Sequence, residues 1–238
     1  MKIMTFNMKD DGIFIFSHWK VRLDGFVQLI KKTNPDIIGT QEMTHKAKRR
    51  LLTLLDKYHL KYSFYGESRK RHRGWFDEFN TILVKDEIKV LGYATYSLSN
   101  TPDVPLSRFP GDKFPRIICF VELDNCYIYN THLTNKVDDN KFMQLDCISK
   151  LIKKDKPIII TGDFNMGITR LKTFCHNNRL IDVTKGVGKT FVTKKYQYHL
   201  DHILVSKGIM FHDVLKYTDN YKNRRLSDHY PVSAVIDL

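Results

Sequence analysis

The segment Pro157-Ile158-Ile159-Ile160-Thr161-Gly162-Asp163-Phe164-Asn165 constrains this chain more than any other. An unbroken apolar run of that length, rich in β-branched residues and closed by Gly-Asp, reads as a strand buried on both faces. Strands of that kind belong to layered α/β folds, in which helices or a second sheet cover each face. Asp163 then stands at the strand end, where such layers collect ligands. A carboxylate there is costly to bury unless something pairs with it. The plain alternative is a turn, because Gly, Asp and Asn are turn formers.

The rest of the chain alternates in the same way. Lys2 to Asn7 reads as a strand, and Trp19 to Lys32 as a helix with Val21, Leu23, Phe26, Val27 and Ile30 near helical spacing. Asn34-Pro35 stops it. Asp36 to Gly39 is a short buried strand leading to Gln41-Glu42, and Thr44 to Tyr58 is a helix with a basic exposed side. Asn80 to Lys85 and Ile88 to Tyr93 are expected to pair as strands, as are Arg116 to Leu123 and Tyr127 to His132. Lys141 to Lys153 is expected to be a helix with Phe142, Leu145, Ile148, Leu151 and Ile152 on one face. Leu200 to Val205 and Pro231 to Ile236 are the last strands. No linker, repeat or low-complexity tract interrupts the pattern, so residues 1–238 are expected to form one domain.

Most of these strands deliver a small polar or acidic residue at their end. Glu42 follows a buried strand and is the best single metal-ligand candidate, with Asn7 and Asp228 able to complete an oxygen-donor site. Mg²⁺ needs only one or two carboxylates plus substrate phosphate. Read alone, Asn7 fits a strand-end asparagine and Glu42 a helix N-terminal carboxylate. Asp163, facing water, could orient or deprotonate a nucleophile. His132 and His229 could donate hydrogen bonds to a phosphate as charge develops on it. Asp201 could orient His229.

The chain carries 39 Lys and Arg against 26 Asp and Glu, a formal charge of +13. A field of that sign favours anionic partners, nucleic acid or an acidic membrane surface. Cys119, Cys126, Cys147 and Cys175 show no metal spacing and read as buried reduced thiols. With no signal peptide and no apolar run near the ~20 residues of a membrane span, a cytoplasmic monomer is expected, with no protein partner implied.

Taken in order, Phe6-Asn7, Gln41-Glu42, Asn130-Thr131-His132, Gly162-Asp163-Phe164-Asn165, Leu200-Asp201-His202 and Ser227-Asp228-His229 resemble the endonuclease/exonuclease/phosphatase superfamily along the whole chain. Glu78-Phe79-Asn80-Thr81-Ile82 and Phe114-Pro115-Arg116 look most like a compact bacterial branch. The resemblance implies a DNase I-like four-layer α/β sandwich, two packed mixed sheets flanked by helices. It also implies Mg²⁺ or Mn²⁺ and phosphoester hydrolysis. Carried over by position, Glu42 is the principal metal ligand with Asn7 and Asp228 nearby. Asp163 activates water, Asn165 helps hold the phosphate, and His229, oriented by Asp201, stabilises the transition state. His132 contacts the phosphate or protonates the leaving oxygen, with Glu78 orienting it. Arg116 and Asn80 are expected at the substrate. His202 stands where many relatives carry an aromatic residue.

The fold does not set the substrate. Gly162-Asp163-Phe164-Asn165 and Leu200-Asp201-His202 depart from the inositol-phosphatase pattern. Basic clusters flank the motifs: Arg69-Lys70-Arg71-His72-Arg73 before Glu78, Lys46 to Arg50 after Glu42, and Lys222, Arg224 and Arg225 before Ser227. They fit a groove along a phosphate backbone, with Arg71, Arg73 and Arg225 as phosphate contacts and Trp75 stacking on a base. The expectation is a metal-dependent nuclease of DNA or RNA. The alternative is a hydrolase of a small phosphorylated metabolite or a phospholipid headgroup.

Overall fold

The structure, a computed structural model, describes residues 1–9, 18–69, 77–136 and 138–238. In chain order the elements are β1 (Lys2–Asn7), α1 (Trp19–Thr33), β2 (Ile37–Thr44), α2 (His45–Lys57), β3 (Tyr62–Tyr65), β4 (Glu78–Lys85), β5 (Gly92–Ser97), β6 (Ile117–Glu122) and β7 (Tyr127–His132). There follow α3 (Asp138–Leu151), β8 (Ile158–Asp163), α4 (Ile168–Asn177), β9 (Leu180–Asp182), β10 (Phe191–Val192), β11 (Gln197–Tyr198), β12 (Asp201–Ser206), β13 (Phe211–Lys216) and β14 (Val232–Ile236). One six-stranded sheet has the order β13-β14-β1-β2-β4-β3 and the other β5-β6-β7-β8-β12-β9. Both are mixed: β1 and β2 run parallel in one, β7 and β8 in the other, and the remaining pairings are antiparallel.

Three apolar layers hold four layers of structure together. Alternate residues of each strand serve opposite faces. Ile3, Ile37, Ile82, Ile128, Ile159, Ile203 and Ala234 fill the space between the sheets. Met4, Phe6, Ile38 and Leu83 face α1 and α2, meeting Phe26, Ile30, Leu51 and Leu55. Tyr129, Ile158, Ile160 and Leu204 face the helices of the other side, meeting Leu145, Ile148, Leu171 and Phe174. A strand covered on both faces has no polar face to show, hence the continuous Ile158-Ile159-Ile160 run. The α/β/β/α sandwich read from the motifs is the observed architecture.

Asn34, the C-cap of α1, is left-handed at φ 48° and its N–H reaches the Ile30 carbonyl. Thr44 caps α2 by accepting from the Ala47 N–H at 3.2 Å. All four cysteines are unbonded, three buried and Cys175 half-buried.

Three local expectations are corrected. The segment at 88–93 does not pair with β4: β4 lies between β2 and β3, and the strand that forms, β5, starts at Gly92 and joins the opposite sheet. The turn after Lys85 thus crosses between layers instead of closing a hairpin. Phe142 is exposed, its ring under the Arg170 guanidinium at 5.1 Å. Strand β2 continues through Gln41-Glu42 to Thr44, with a register break between Thr40 and Met43.

Candidate functional site

The site stands where the parallel strands of both sheets end. Asn7 pairs in register with Gln41, and His132 with Asp163. Because the sheets face each other, these ends converge at one rim of the sandwich. A buried polar network holds the rim together. Gln41 Nε2 donates to Asn130 Oδ1 at 2.7 Å, and Asn130 Nδ2 donates to the carbonyls of Thr40 and Thr81 at 2.8 and 3.0 Å. Gly39 is required there, since a Cβ would lie 2.1 Å from Thr161 Oγ1 and 2.7 Å from Asn130 Oδ1.

Glu42 owes its placement to the irregularity in β2. Its φ is 58°, a left-handed conformation costing a non-glycine residue roughly 1–2 kcal/mol. A bulge of this kind re-aims a side chain next to a functional site. Glu42 Oε1 accepts from Asn7 Nδ2 at 3.0 Å. The same Nδ2 reaches Asp163 Oδ2 at 3.0 Å, so Asn7 ties the two carboxylates together.

Asp163 is the most heavily shared group. Its Oδ1 accepts the Asn165 N–H at 2.9 Å, and its Oδ2 lies 3.6 Å from the Nε2 atoms of both His132 and His229. Burial raises its pKa and nearby Asp201 adds to the rise, while His229 and the hydrogen bonds from Asn165 and Asn7 restrain it, leaving it at about 6. His229 places Nδ1 2.8 Å from Asp201 Oδ2. Burial works against its charge, yet the carboxylates of Asp201, Asp163 and Asp228 lift its pKa to about 10. His132 goes the other way. Burial, then the positive charges of Arg116, Arg69 and His229, hold it well below the usual imidazole range. The two histidines are therefore an imidazolium and a neutral imidazole on either side of one carboxylate.

Glu42, His132, Asp163, Asn165, Asp228 and His229 line one cleft of about 680 Å³. Asp228 is met at its mouth by Lys9 Nζ at 2.8 Å. Asn165 has φ 51°, and its Nδ2 donates to the Leu133 carbonyl at 2.9 Å, tying the loop after β8 to the end of β7. Glu42 and Asp228 are hard oxygen donors, a pair that suits Mg²⁺ or Mn²⁺; Asn7, expected as a third ligand, turns its Nδ2 to Glu42 and Asp163 while its Oδ1 accepts the Lys9 N–H at 3.0 Å, so it orients the carboxylates instead. Asp163, Asp201 and His229 also bring three ligand atoms within 4.8 Å of one another. Within that trio His229 Nδ1 already lies 2.8 Å from Asp201 Oδ2.

The remaining expected residues divide. Arg116 and Glu78 line an adjoining cavity of about 200 Å³ together with Arg69, Lys113, Lys136, Glu42 and His132. The guanidinium of Arg116 is only 7% exposed and has no hydrogen bond or ion pair among the described residues, so it is available to an anion. Glu78 pairs with Arg69 rather than contacting His132, whose Nε2 faces Asp163 and, at 4.0 Å, Glu42. Asn80 lines neither cavity; its Nδ2 donates to the Ile117 carbonyl across the sheets at 3.2 Å. Arg225 donates to the carbonyls of Val192 and Asp228 and lies over the Tyr230 ring at 4.5 Å, so it braces the Asp228 loop. Arg71, Arg73 and Trp75 lie outside the described residues.

Sequence reasoning missed an aromatic wall. The β10–β11 hairpin carries Phe191, whose ring is 4.9 Å from His229, and Tyr198 parallel to it at 6.4 Å. Tyr196 stacks on Tyr198 at 6.1 Å, and both tyrosines are about half exposed within the same cleft. The alternation Tyr196-Gln197-Tyr198 was the available signal, but each strand here is too short to show periodicity.

Two packed mixed sheets, helices on both outer faces and a cluster of acids, amides and histidines at one rim define the four-layer hydrolase-type sandwich. The chain belongs to the Endonuclease/Exonuclease/phosphatase family, which it matches over residues 4–229. It is 26% identical to Uncharacterized protein L388 of Acanthamoeba polyphaga mimivirus over 92% of each chain. Among solved structures it is similar to the endonuclease/exonuclease/phosphatase from Bacteroides vulgatus, with TM-score 0.88, 22% identity, and coverage of 100% of this chain and 98% of that one. It is also similar to mannosyl-6-phosphatase Bt3783 of Bacteroides thetaiotaomicron, with TM-score 0.82, 21% identity and full coverage of both chains. D. rerio TDP2 complexed with single-strand DNA product gives TM-score 0.76 at 17% identity, covering 100% of this chain and 99% of that one.

Proposed function

We propose that this protein is a divalent-metal-dependent phosphodiesterase acting on nucleic acid. The observation that carries the reading is Asp163, a carboxylate poised near neutrality between a charged and a neutral imidazole on the floor of an acidic cleft. Glu42, steadied by Asn7, and Asp228 would hold Mg²⁺ or Mn²⁺, which when bound supplies neutralisation of charge on the phosphoryl oxygens. Asp163 takes the proton from the attacking water. The His229 imidazolium, kept protonated by Asp201, donates to the phosphoryl oxygen as negative charge grows there. Neutral His132 and Asn165 orient the phosphate, and Arg116, unpaired among the described residues, adds a positive contact beside it.

Nucleic acid is supported by three features. The net charge of +13 favours polyanions. The stacked Phe191, Tyr196 and Tyr198 rings sit beside the reacting centre and suit a base or sugar face. A protein of the same fold has been seen with a single-strand DNA product. The alternative, a phosphomonoester of a small metabolite, is favoured by the compact basic cavity of Arg69, Lys113, Arg116 and Lys136, which would hold one terminal phosphate. A structural neighbour is a mannosyl-6-phosphatase.

The deciding experiment is hydrolysis of a panel with Mg²⁺ and Mn²⁺ by wild type and Asp163→Ala. The panel holds single- and double-stranded DNA, RNA, an abasic-site duplex, phosphosugars and lipid headgroup esters. Polymer cleavage lost in the variant is expected. Turnover of small monoesters alone would replace the nuclease reading with the phosphatase one.

A further inference from the structure

His202 follows Asp201 on β12 and, by the alternation of the strand, turns to the opposite face, away from the cleft. It is fully buried, yet both ring nitrogens are engaged. Nδ1 lies 2.7 Å from Asp182 Oδ2 on β9, and Nε2 lies 2.9 Å from the Met166 carbonyl oxygen. A carbonyl can only accept. Asp182 is an acceptor too: its Oδ1 takes both the N–H and the hydroxyl of Thr184, and His202 and Thr184 together outweigh burial to keep it ionised. A neutral imidazole has one N–H and would leave one of these acceptors facing a lone pair. Phe164 meets His202 edge-on at 5.6 Å, and His199 stacks on it at 4.5 Å, its pKa lowered by burial and by His202, with Nε2 3.1 Å from the Asp201 carbonyl.

The Met166 carbonyl belongs to the loop that leaves β8 with Asp163 and Asn165. The loop's other hydrogen bonds are the Asn165 side chain on Leu133, the Asn165 N–H on Asp163, and the Phe164 N–H on the Leu200 carbonyl, and the Phe164 and Met166 side chains are buried in the core. We propose that His202 is a positioning residue whose Nε2 holds the Met166 carbonyl while Asp182 orients the ring, and so fixes the loop that carries Asn165 for the reaction. The clamp acts from behind the site and touches no substrate; its link to turnover rests on the phosphodiesterase reading above. Misplacing a reacting group by about 1 Å costs about 100-fold in rate, so a single anchor on this loop has leverage.

Two variants of the full chain separate the clamp from simple packing. His202→Gln keeps a donor near the Nε2 position and so retains the Met166 bond. His202→Asn keeps one near Nδ1 and so retains only Asp182. Hydrogen exchange at the Asn165 amide needs no substrate; it is expected to quicken roughly ten-fold in His202→Asn and to stay near wild type in His202→Gln. Mg²⁺-dependent turnover of bis(p-nitrophenyl) phosphate should split the same way, with kcat reduced about 10- to 100-fold in His202→Asn and KM moved less. Equal exchange in the two variants overturns the proposal. If His202→Asn does not fold, ¹⁵N-histidine NMR of the wild type decides: a proton on Nε2, the atom facing the Met166 carbonyl, supports the clamp, and a bare Nε2 overturns it. A wild type that hydrolyses no phosphoester sinks the functional reading instead, and the exchange comparison still tests the clamp.

Discussion

Asp201 lies directly opposite Asp163 in the antiparallel β8–β12 ladder, and the His229 ring joins them, with Nδ1 2.8 Å from Asp201 and Nε2 3.6 Å from Asp163. Two buried carboxylates in register would repel each other at close range. The imidazolium between them turns that repulsion into attraction, and the same pairing places a proton donor beside a proton acceptor at the centre of the site.

Removal of either partner of this arrangement should be felt in rate. Asp163→Ala is expected to lower kcat by about 10²–10⁴-fold, the usual span for a general base. His229→Ala should lose about 10²–10³-fold, as for a lost donor to developing charge. Both should retain the far-ultraviolet circular dichroism of the wild type. Wild-type turnover in either variant would refute its role.

The pH profile of kcat follows from opposite requirements. The base must be unprotonated, so the rate should climb with pH as Asp163 ionises through about 6. The imidazolium must keep its proton, so the rate should fall as His229 deprotonates through about 10. The two limbs belong to the coupled group of Asp163, His229 and Asp201 rather than to single residues. Asp201→Asn removes the largest charge sustaining His229, so the alkaline limb should move to lower pH while the acid limb stays within a unit. A pH-rate series on both proteins checks this.

Glu42→Gln should weaken Mn²⁺ binding by at least about ten-fold, because a hard cation relies here on one or two carboxylates. Isothermal titration calorimetry measures it without substrate. Unchanged affinity would remove Glu42 from the metal site.

The aromatic wall is testable with an inactive protein. In the Asp163→Ala background, Tyr198→Ala should cost about 1–3 kcal/mol of affinity for a short single-stranded oligonucleotide, the range for one lost base stack. Fluorescence anisotropy reads this directly. Equal affinities would leave the wall without a substrate role and favour the small-ester alternative.

Gly39→Ala tests how closely the sheets approach under the site. A Cβ would collide with Thr161 and Asn130, so destabilisation of about 1–3 kcal/mol or more is expected from overpacking and the broken polar network. Urea unfolding should show a lower midpoint at similar slope.

Much of this architecture is written locally. The Ile158-Ile159-Ile160 run demanded cover on both faces, and the polar residues closing β1, β7 and β8 marked the rim, because strand ends and apolar periodicity are properties of neighbouring residues. Glu42 was legible as a strand-end acid. Its left-handed backbone was not, since the bulge exists only against β4. Likewise, the sequence names His132, His229 and Asp163 but does not say that one carboxylate lies equally far from both rings. Burial lowers both histidines, and their opposite net shifts then depend on which charges the fold packs around each: Arg116 and Arg69 by His132, three aspartates by His229. Arg225 and Asn80 looked like substrate contacts and are instead bonded to backbone carbonyls, which no spacing rule foretells. The sequence by itself determined the alternation of strands and helices and the chemical inventory of the site, through patterns a few residues long, and the four layers through its family resemblance. Only the tertiary structure decided which acids face which imidazoles, which arginine lines the basic cavity and which rings line the cleft. Those depend on contacts between residues far apart in the chain.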